Sequence, residues 1–253
     1  MAIVQGKDFV VIAADTLRTI VVNGITQGTA HGCKIARSGQ VYFVWAGDVK
    51  QPPFYDVEST ARMVAAANPD PGKAGSEFER RILPGVEAWM REVSAHPKSD
   101  DAKHLATKHL LFSVVFVSMK AAAPTFSLWS FNLLHEGRKV SITPEEHICT
   151  GPCGGRTITV VRLGDNADDH KEDNAIRDRD TAISAAFRMV QHDAKSFPAT
   201  VGEPIIEVAL GPFGDQWLPL SNPCREEEKY AGKPEKKSDK SEGRKEGHRD
   251  KSQ

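Results

Sequence analysis

The N-terminal part of the chain consists of short apolar runs separated by polar turns. These runs, which we predict to be β-strands, cover residues 2–4, 9–14, 19–22, 35–37 and 41–46. The second run is apolar at every position, which is typical of a strand that is buried on both faces. Asn23-Gly24 and Ser38-Gly39 separate neighbouring runs and indicate tight turns. The pattern therefore predicts β-hairpins in this part of the chain.

The spacing of apolar positions then changes to that of a helix. Residues 56–67 and 77–93 each carry apolar side chains three and four positions apart, which predicts two amphipathic helices with one buried face each. The segment 68–72 contains two prolines and ends the first of them. Pro84 falls within the second predicted helix, and we expect it to kink that helix or to delay its start.

The remaining pattern predicts further strands and a third helix. Strands are expected at residues 110–118, 125–133, 147–150 and 204–210, and a helix at 180–194. Residues 157–163 fit either a strand or the start of a helix, and 164–178 read as an exposed loop. This order favours an α+β fold of stacked sheets covered by helices over an alternating βαβ fold.

Charge and composition restrict the function more than the fold. The 253 residues carry a formal net charge of −1, so the chain has no overall bias toward nucleic acid or membrane surfaces. No apolar stretch approaches the ~20 residues of a membrane span, and no secretory signal is recognisable. Residues 223–253 are mostly charged or small, with acids and bases mixed, and we predict a disordered tail after a domain at 1–222. We expect a cytoplasmic protein.

Four cysteines stand at positions 33, 149, 153 and 224. The simplest interpretation is reduced thiols, as in most cytosolic proteins. Cys149 and Cys153 with the nearby His147 make a metal site conceivable, but structural zinc sites require four ligands at paired spacings, and no second pair follows. We therefore predict no metal and no cofactor.

Three short motifs in order resemble a known family. Residues 9–18 (FVVIAADTLR) resemble the opening of a proteasome β-subunit, in which a valine-rich strand leads to two small residues, Asp, a small polar residue and Arg. Lys34-Ile35 and Ala46-Gly47-Asp48 resemble the next two marks of that family, and the later helices and strands follow in its order. The resemblance spans about residues 1–220. It suits equally the related peptidase of bacterial ATP-dependent proteases and other bacterial proteasome-like proteins.

The resemblance implies the four-layer αββα sandwich and the chemistry of the N-terminal-nucleophile hydrolases. In that family the first residue, usually Thr, attacks the scissile carbonyl, and its own α-amino group is the general base. By correspondence, Asp15 is the orienting carboxylate, Lys34 the active-site lysine and Gly47 the donor of an N–H to the oxyanion. Arg18 corresponds to the arginine beside the Asp–Lys pair.

Each of these residues also has a purely structural interpretation. Asp15 then caps a turn at a strand end, Lys34 is a surface lysine, and Gly47 is an ordinary turn glycine. Three independent coincidences in the family's order are less probable than one inherited layout. The resemblance is therefore retained as the working hypothesis.

The chain departs from the family's pattern in three places. It starts Met1-Ala2, and the family's Thr falls about two positions before Met1, so the nucleophile is expected either just upstream or lost. The Gly-rich turn 151–155 has no Ser, and we consider Cys153 as a weak replacement donor. The segment 198–202 lacks the family's Asp and Ser, and Thr200 is considered as a partial replacement.

Two functions follow from the resemblance. The first is a threonine-type peptidase that degrades peptides or proteins, with its nucleophile outside this chain start, and the second is a non-catalytic subunit or scaffold of the same fold. Both imply assembly into a homo-oligomeric ring. A nucleic-acid binder rests only on the charged tail, and the near-neutral net charge disfavours it, so neither nucleic acid nor membrane is an expected partner.

Overall fold

The computed structural model of the protein describes residues 1–22, 25–120, 123–136, 139–153, 156–163, 173–219 and 224. Within these ranges the fold is mixed α and β, and every strand pair is antiparallel. The predicted α+β class is therefore confirmed. The described ranges contain no helix with the length and apolar character needed to cross a membrane.

The secondary-structure elements follow one another in five groups. In chain order, the strands are β1 (Ala2–Gln5), β2 (Val10–Asp15), β3 (Leu17–Val22), β4 (Ile25–His31), β5 (Ile35–Ser38), β6 (Val41–Gly47), β7 (Lys50–Gln51), β8 (Tyr55–Asp56), β9 (Leu110–Lys120), β10 (Ala123–Glu136), β11 (Lys139–Thr150), β12 (Thr159–Arg162), β13 (Ile205–Gly211) and β14 (Gly214–Leu218). The α-helices are α1 (Val57–Ala67), α2 (Pro71–Ala95), α3 (Asp100–Ala106) and α4 (Arg179–Ser196). The first three helices interrupt the strands between β8 and β9, and α4 lies between β12 and β13.

Two five-stranded sheets form the centre of the fold. Sheet 1 has the strand order β12-β1-β2-β13-β14, and sheet 2 has the order β11-β10-β9-β6-β5. The predicted hairpin of β1 and β2 is confirmed, with Ala2 opposite Ala13 and Gln5 opposite Val10. The hairpin of β5 and β6 is confirmed as well, with Ser38 opposite Val41.

Alternate side chains of β2 enter two different apolar clusters. Val10, Ile12 and Ala14 belong to a buried cluster that also contains Val44 and Val115 of sheet 2. The intervening side chains of the strand, Val11 and Ala13, belong to a second cluster that includes residues of α4. Side chains alternate between the two faces of a strand, so β2 is buried on both faces, as its uninterrupted apolar run predicted.

Helices α1 and α2 cover the remaining face of sheet 2. Their buried side chains share a third cluster with Phe43, Phe112 and Phe131 of that sheet. Helix α1 begins where predicted, because the Asp56 side chain accepts a hydrogen bond from the Ser59 N–H at 2.9 Å and caps the helix.

Helix α2 begins six residues earlier than predicted. Asp70 caps the helix, and Pro71 occupies its first turn. Backbone N–H groups in the first turn have no partner within the helix, so proline is well tolerated there. The residues of the first two turns are small or polar, so they lack the helical spacing of apolar side chains on which the prediction was based. Gly75 is buried there, and a Cβ atom at this position would lie 2.4 Å from Ser127 Oγ, so the close packing requires glycine. Pro84 does not delay the helix, which continues through it.

The sequence pattern missed five short elements and underestimated a sixth. Strands β4, β7, β8 and β14 and helix α3 were not predicted, and β11 is longer than the predicted 147–150. Residues 157–163 contain strand β12, which settles the choice between strand and helix. The predicted turn at Asn23-Gly24 and most of the predicted loop at 164–178 lie outside the described residues.

The cysteines form two disulfides, so the prediction of reduced thiols was wrong. Cys33 is bonded to Cys224, and Cys149 is bonded to Cys153. Disulfides are typical of proteins in oxidising compartments, so they do not favour the cytoplasmic location, which stays a prediction. Cys224 falls within the predicted tail yet is buried in the cluster between the sheets. The remainder of that tail lies outside the described residues.

Glu207 is a buried acid on β13. Ile205 and Ala209, two positions before and after Glu207, face α4, whereas the residues between them face sheet 2. Because side chains alternate along a strand, Glu207 lies on the α4 side. It is 5% exposed, and its Oε1 has no hydrogen-bond partner among the described residues. Burial in this apolar setting raises the pKa of Glu207 to about 7.

We expect the Glu207→Gln variant to gain stability over the parent protein as the pH rises. The folded-state pKa of Glu207 is raised from 4.5 to about 7. Its protonated carboxyl therefore contributes fully to the free energy of unfolding below pH 4.5, and this contribution is lost as the pH rises through 7. A shift of this size corresponds to about 3 kcal/mol. Urea unfolding of both proteins at pH 5 and pH 8.5 measures the difference.

The exposed Glu203 provides the matched control for this measurement. Glu203→Gln is expected to leave the pH dependence of the free energy of unfolding unchanged. A stability difference between parent and Glu207→Gln that is the same at both pH values contradicts the prediction.

Candidate functional site

Asp15 and Lys34 form an ion pair that joins the two sheets. Asp15 is the last residue of β2 in sheet 1, and Lys34 directly precedes β5 in sheet 2. Lys34 Nζ lies 2.7 Å from Asp15 Oδ2, with the side chains 18% and 4% exposed. A charge-assisted hydrogen bond to a nearly buried carboxylate fixes this lysine in position.

Asp15 also organises the backbone around it. The same Oδ2 atom accepts hydrogen bonds from the N–H of Leu17 at 3.1 Å and of Gly202 at 3.4 Å. The first of these bonds is the turn-capping role considered from the sequence. Both roles are therefore present, because one carboxylate oxygen serves the turn and the lysine together.

The segment before β13 lies against the Asp15 turn. A Cβ atom at Gly202 would lie 3.0 Å from Leu17 Cβ, so the two segments pack closely at this glycine. The Thr200 hydroxyl donates to the Phe197 carbonyl at 3.4 Å, a local bond at the end of α4. The predicted role of Thr200 as a replacement for the family's Ser stays a prediction.

Arg18 holds the segment that carries Lys34. Its guanidinium donates to the Cys33 carbonyl and pairs with Glu58 Oε2 at 2.9 Å. It also lies over the Trp45 ring, 5.5 Å from the ring centroid, in a cation–π contact. Arg18 thus lies beside the Asp15–Lys34 pair, and it acts on the backbone next to Lys34.

Gly47 lies at the same end of sheet 2 as Lys34. Pairing between β5 and β6 ends at Ile35 and Val44, so the last residues of β6 continue past the start of β5. Gly47 has a φ of 101°, and a Cβ atom there would lie 2.4 Å from the Leu111 carbonyl oxygen. Both features explain why this position requires glycine.

We expect Gly47→Ala to destabilise the protein by about 2 kcal/mol or more, since the positive φ and the backbone contact are both unfavourable for alanine. Gly28→Ala is the control, because a Cβ atom at Gly28 meets no atom within 4 Å. Thermal or urea unfolding of the two variants measures the difference. Equal stability of the two variants contradicts the expectation.

Asp48, the residue after Gly47, is held by a histidine and a lysine. Its carboxylate accepts hydrogen bonds from His104 Nε2 at 3.0 Å and from Lys108 Nζ at 3.1 Å. Burial by itself raises the pKa of Asp48, but the His104 hydrogen bond and the Lys108 charge outweigh it, and the pKa lies below its usual value. The sequence reasoning missed this cluster, because His104 lies on α3 and that helix was not predicted.

The start of β1 runs toward the Asp15 end of sheet 1. Met1 is 5% exposed, and its amino group donates to the Leu163 carbonyl at 3.2 Å. The same nitrogen lies 3.9 Å from Asp193 Oδ2 on α4. Sequence reasoning did not identify Asp193, which lies near the end of α4, three and four positions after the buried Val190 and Met189.

Cys153 lies at the opposite end of β1. Its N–H donates to Thr159 Oγ1 at 2.7 Å, and Thr159 pairs with Gln5. Its sulfur is bonded to Cys149, so it has no thiol hydrogen to donate. The prediction that Cys153 replaces the family's Ser was therefore wrong. Cys153 also lies at the end of β1 that is away from Asp15.

The metal site considered at His147 has no thiolate ligands. Cys149 and Cys153 are oxidised, and His147 Nε2 lies 3.2 Å from Glu145 Oε1 on the surface. Within the described ranges, no three His, Cys, Asp or Glu side chains are grouped so that they could hold a metal ion.

The chemistry available at this end of the sheets is that of a fixed ammonium group and backbone donors. Asp15 holds Lys34, Arg18 steadies the adjacent backbone, and Gly47 lies at the same end of sheet 2. Such an arrangement can stabilise a developing negative charge and lower the pKa of a neighbouring amine or hydroxyl. No model of a known protein family matches the chain, and no curated protein matches it either.

Proposed function

We propose that the protein is an N-terminal-nucleophile hydrolase of the proteasome type, built as a four-layer αββα sandwich. The shared apolar cluster between sheets 1 and 2, with α4 on one outer face and α1 and α2 on the other, supports this architecture. The observation that carries the function is the Asp15–Lys34 pair between the two sheets, at the end where β1 begins.

The register of β1 supports the position of a nucleophile. Ala2 pairs with Ala13 in an antiparallel ladder, so Met1 is next to Ala14 and a residue before Met1 continues opposite Asp15. A Thr, Ser or Cys at that point places its α-amino group beside the lysine that Asp15 holds.

Each residue then has one role in the proposed reaction. The free α-amine, with an ordinary pKa of about 7.7–8.0, takes the proton of the N-terminal hydroxyl or thiol as that group attacks a peptide carbonyl. The Lys34 ammonium lowers the pKa of the attacking group by its charge. The Gly47 N–H donates to the oxyanion, and Asp15 keeps Lys34 in place. Peptides or proteins as substrates, and a homo-oligomeric ring, are proposed on the family resemblance.

N-terminal sequencing of the protein purified from its natural source tests the proposal. We expect a free Thr, Ser or Cys at the first position, one or two residues before the present Met1. A natural chain that starts with Met1 or Ala2 contradicts a catalytic role and leaves the non-catalytic scaffold as the function of the same fold.

A further inference from the structure

We propose that Asp48 is a positioning residue that holds Gly47 in the orientation needed for oxyanion binding. This inference rests on the proposed function. It depends on one feature of the structure: the N–H, the carbonyl and the carboxylate of Asp48 are each bound, and by different parts of the chain.

The contacts of Asp48 reach four segments. Its N–H donates to the Leu111 carbonyl at 2.8 Å, and its carbonyl accepts from the Tyr55 hydroxyl at 3.1 Å. Its carboxylate accepts from His104 on α3, and from Lys108 through both oxygens at 3.1 Å each. Strand β8, helix α3, the segment after α3 and strand β9 thus all fix one residue. We call this set of contacts the Asp48 network.

Gly47 requires such support more than other residues do. Glycine has no side chain to restrict rotation about its backbone bonds, and this glycine adopts a φ of 101°, where few residues are stable. Gly47 is the last residue of β6 in the ladder with β9, where Ala46 pairs with Ser113 and Gly47 with Phe112. On its C-terminal side, the Asp48 network is the restraint. With both neighbours fixed, the direction of the Gly47 N–H is fixed as well.

The burial of Asp48 also indicates a specific role. Its side chain is 16% exposed, and acids are rarely buried unless a cation compensates the lost hydration. The Lys108 ammonium compensates it here, and His104 adds a second hydrogen bond to the same carboxylate. A structural link alone needs neither a charge nor two donors, whereas pinning one peptide against rotation benefits from contacts in several directions.

Two probes with different chemistry separate positioning from general disruption. A peptidyl β-lactone acylates an N-terminal nucleophile through a tetrahedral intermediate with negative charge on a carbonyl oxygen. A peptidyl vinyl sulfone reacts with the same nucleophile by addition at carbon and places no charge on a carbonyl oxygen. We expect Asp48→Ala in the natural mature protein to lower the limiting rate of lactone acylation about 10- to 100-fold, with the half-saturating concentration unchanged.

The vinyl sulfone rate is expected to stay within about twofold of the parent rate, since its addition forms no carbonyl oxyanion for the Gly47 N–H to stabilise. Asp48→Asn keeps an oxygen acceptor for His104 and Lys108, and we expect it to recover most of the lactone rate. Glu77→Ala is the control, because Glu77 is also a carboxylate with two basic partners, Arg80 and Arg81, at a surface distant in sequence from Gly47.

The outcomes distinguish this inference from the proposed function. An equal loss with both probes, or no loss with either, overturns the role of Asp48 while the proposed function stands. A parent protein that neither probe labels overturns the proposed function, and with it this inference.

Discussion

Replacing Lys34 with alanine is expected to lower the rate of N-terminal acylation by the peptidyl β-lactone by about 100-fold or more. The ammonium group lies 2.7 Å from a carboxylate that is almost fully buried, so its charge is fixed beside the proposed nucleophile. Loss of one preorganised charged group at a reacting centre typically costs two to three orders of magnitude, or about 3–4 kcal/mol of barrier. The rate of adduct formation followed by intact mass spectrometry measures the effect.

The matched control is Lys50→Ala. Lys50 also pairs with an aspartate, Asp56, at 2.9 Å, but its side chain is 63% exposed. We expect this variant to react at the parent rate, because an exposed pair contributes little. Equal rates for Lys34→Ala, Lys50→Ala and the parent protein contradict a catalytic role for Lys34.

Removing the Cys33–Cys224 disulfide is expected to cost more stability than removing Cys149–Cys153. The two bonds close loops of very different length, with sequence separations of 191 and 4. In the chain-entropy model these separations correspond to about 5 and about 2 kcal/mol, because the longer loop restricts the unfolded chain more. The double variants Cys33→Ser/Cys224→Ser and Cys149→Ser/Cys153→Ser provide the comparison.

Urea unfolding under non-oxidising conditions measures both variants against the parent protein. A peptide map without reduction verifies the two pairings beforehand. Equal losses, or a larger loss for Cys149→Ser/Cys153→Ser, contradict the expectation. Since Cys33 precedes Lys34 and accepts a hydrogen bond from Arg18, the first variant also reports how strongly the tether supports the candidate site.

The apolar pattern was a good guide where one period ran without interruption. The run 9–14 predicted a strand buried on both faces, and β2 packs against sheet 2 on one side and α4 on the other. The pattern failed where the apolar period is absent. The first turns of α2 begin Pro-Gly-Lys-Ala-Gly, and only the cap at Asp70 and close packing at Gly75 explain the helix there.

The candidate site was accessible to sequence only in part. The family resemblance identified Asp15 and Lys34, and the structure brings these two into contact. It did not identify Asp48, whose partners His104 and Lys108 are 56 and 60 positions away. Nor did it reveal that Cys33 and Cys224 meet, because nearness of residues 191 positions apart depends on the whole fold. The sequence also did not reveal that Glu207 is buried, because one acid within an otherwise apolar strand can equally lie on an exposed face.

The most direct test is to locate the adduct in the natural protein after reaction with the β-lactone, by peptide mass spectrometry. We predict a single acylated residue at the free N-terminus, opposite Asp15, whose modification is lost in Lys34→Ala. An adduct on an internal residue, or the same N-terminal adduct in Lys34→Ala at the parent rate, contradicts the proposed chemistry.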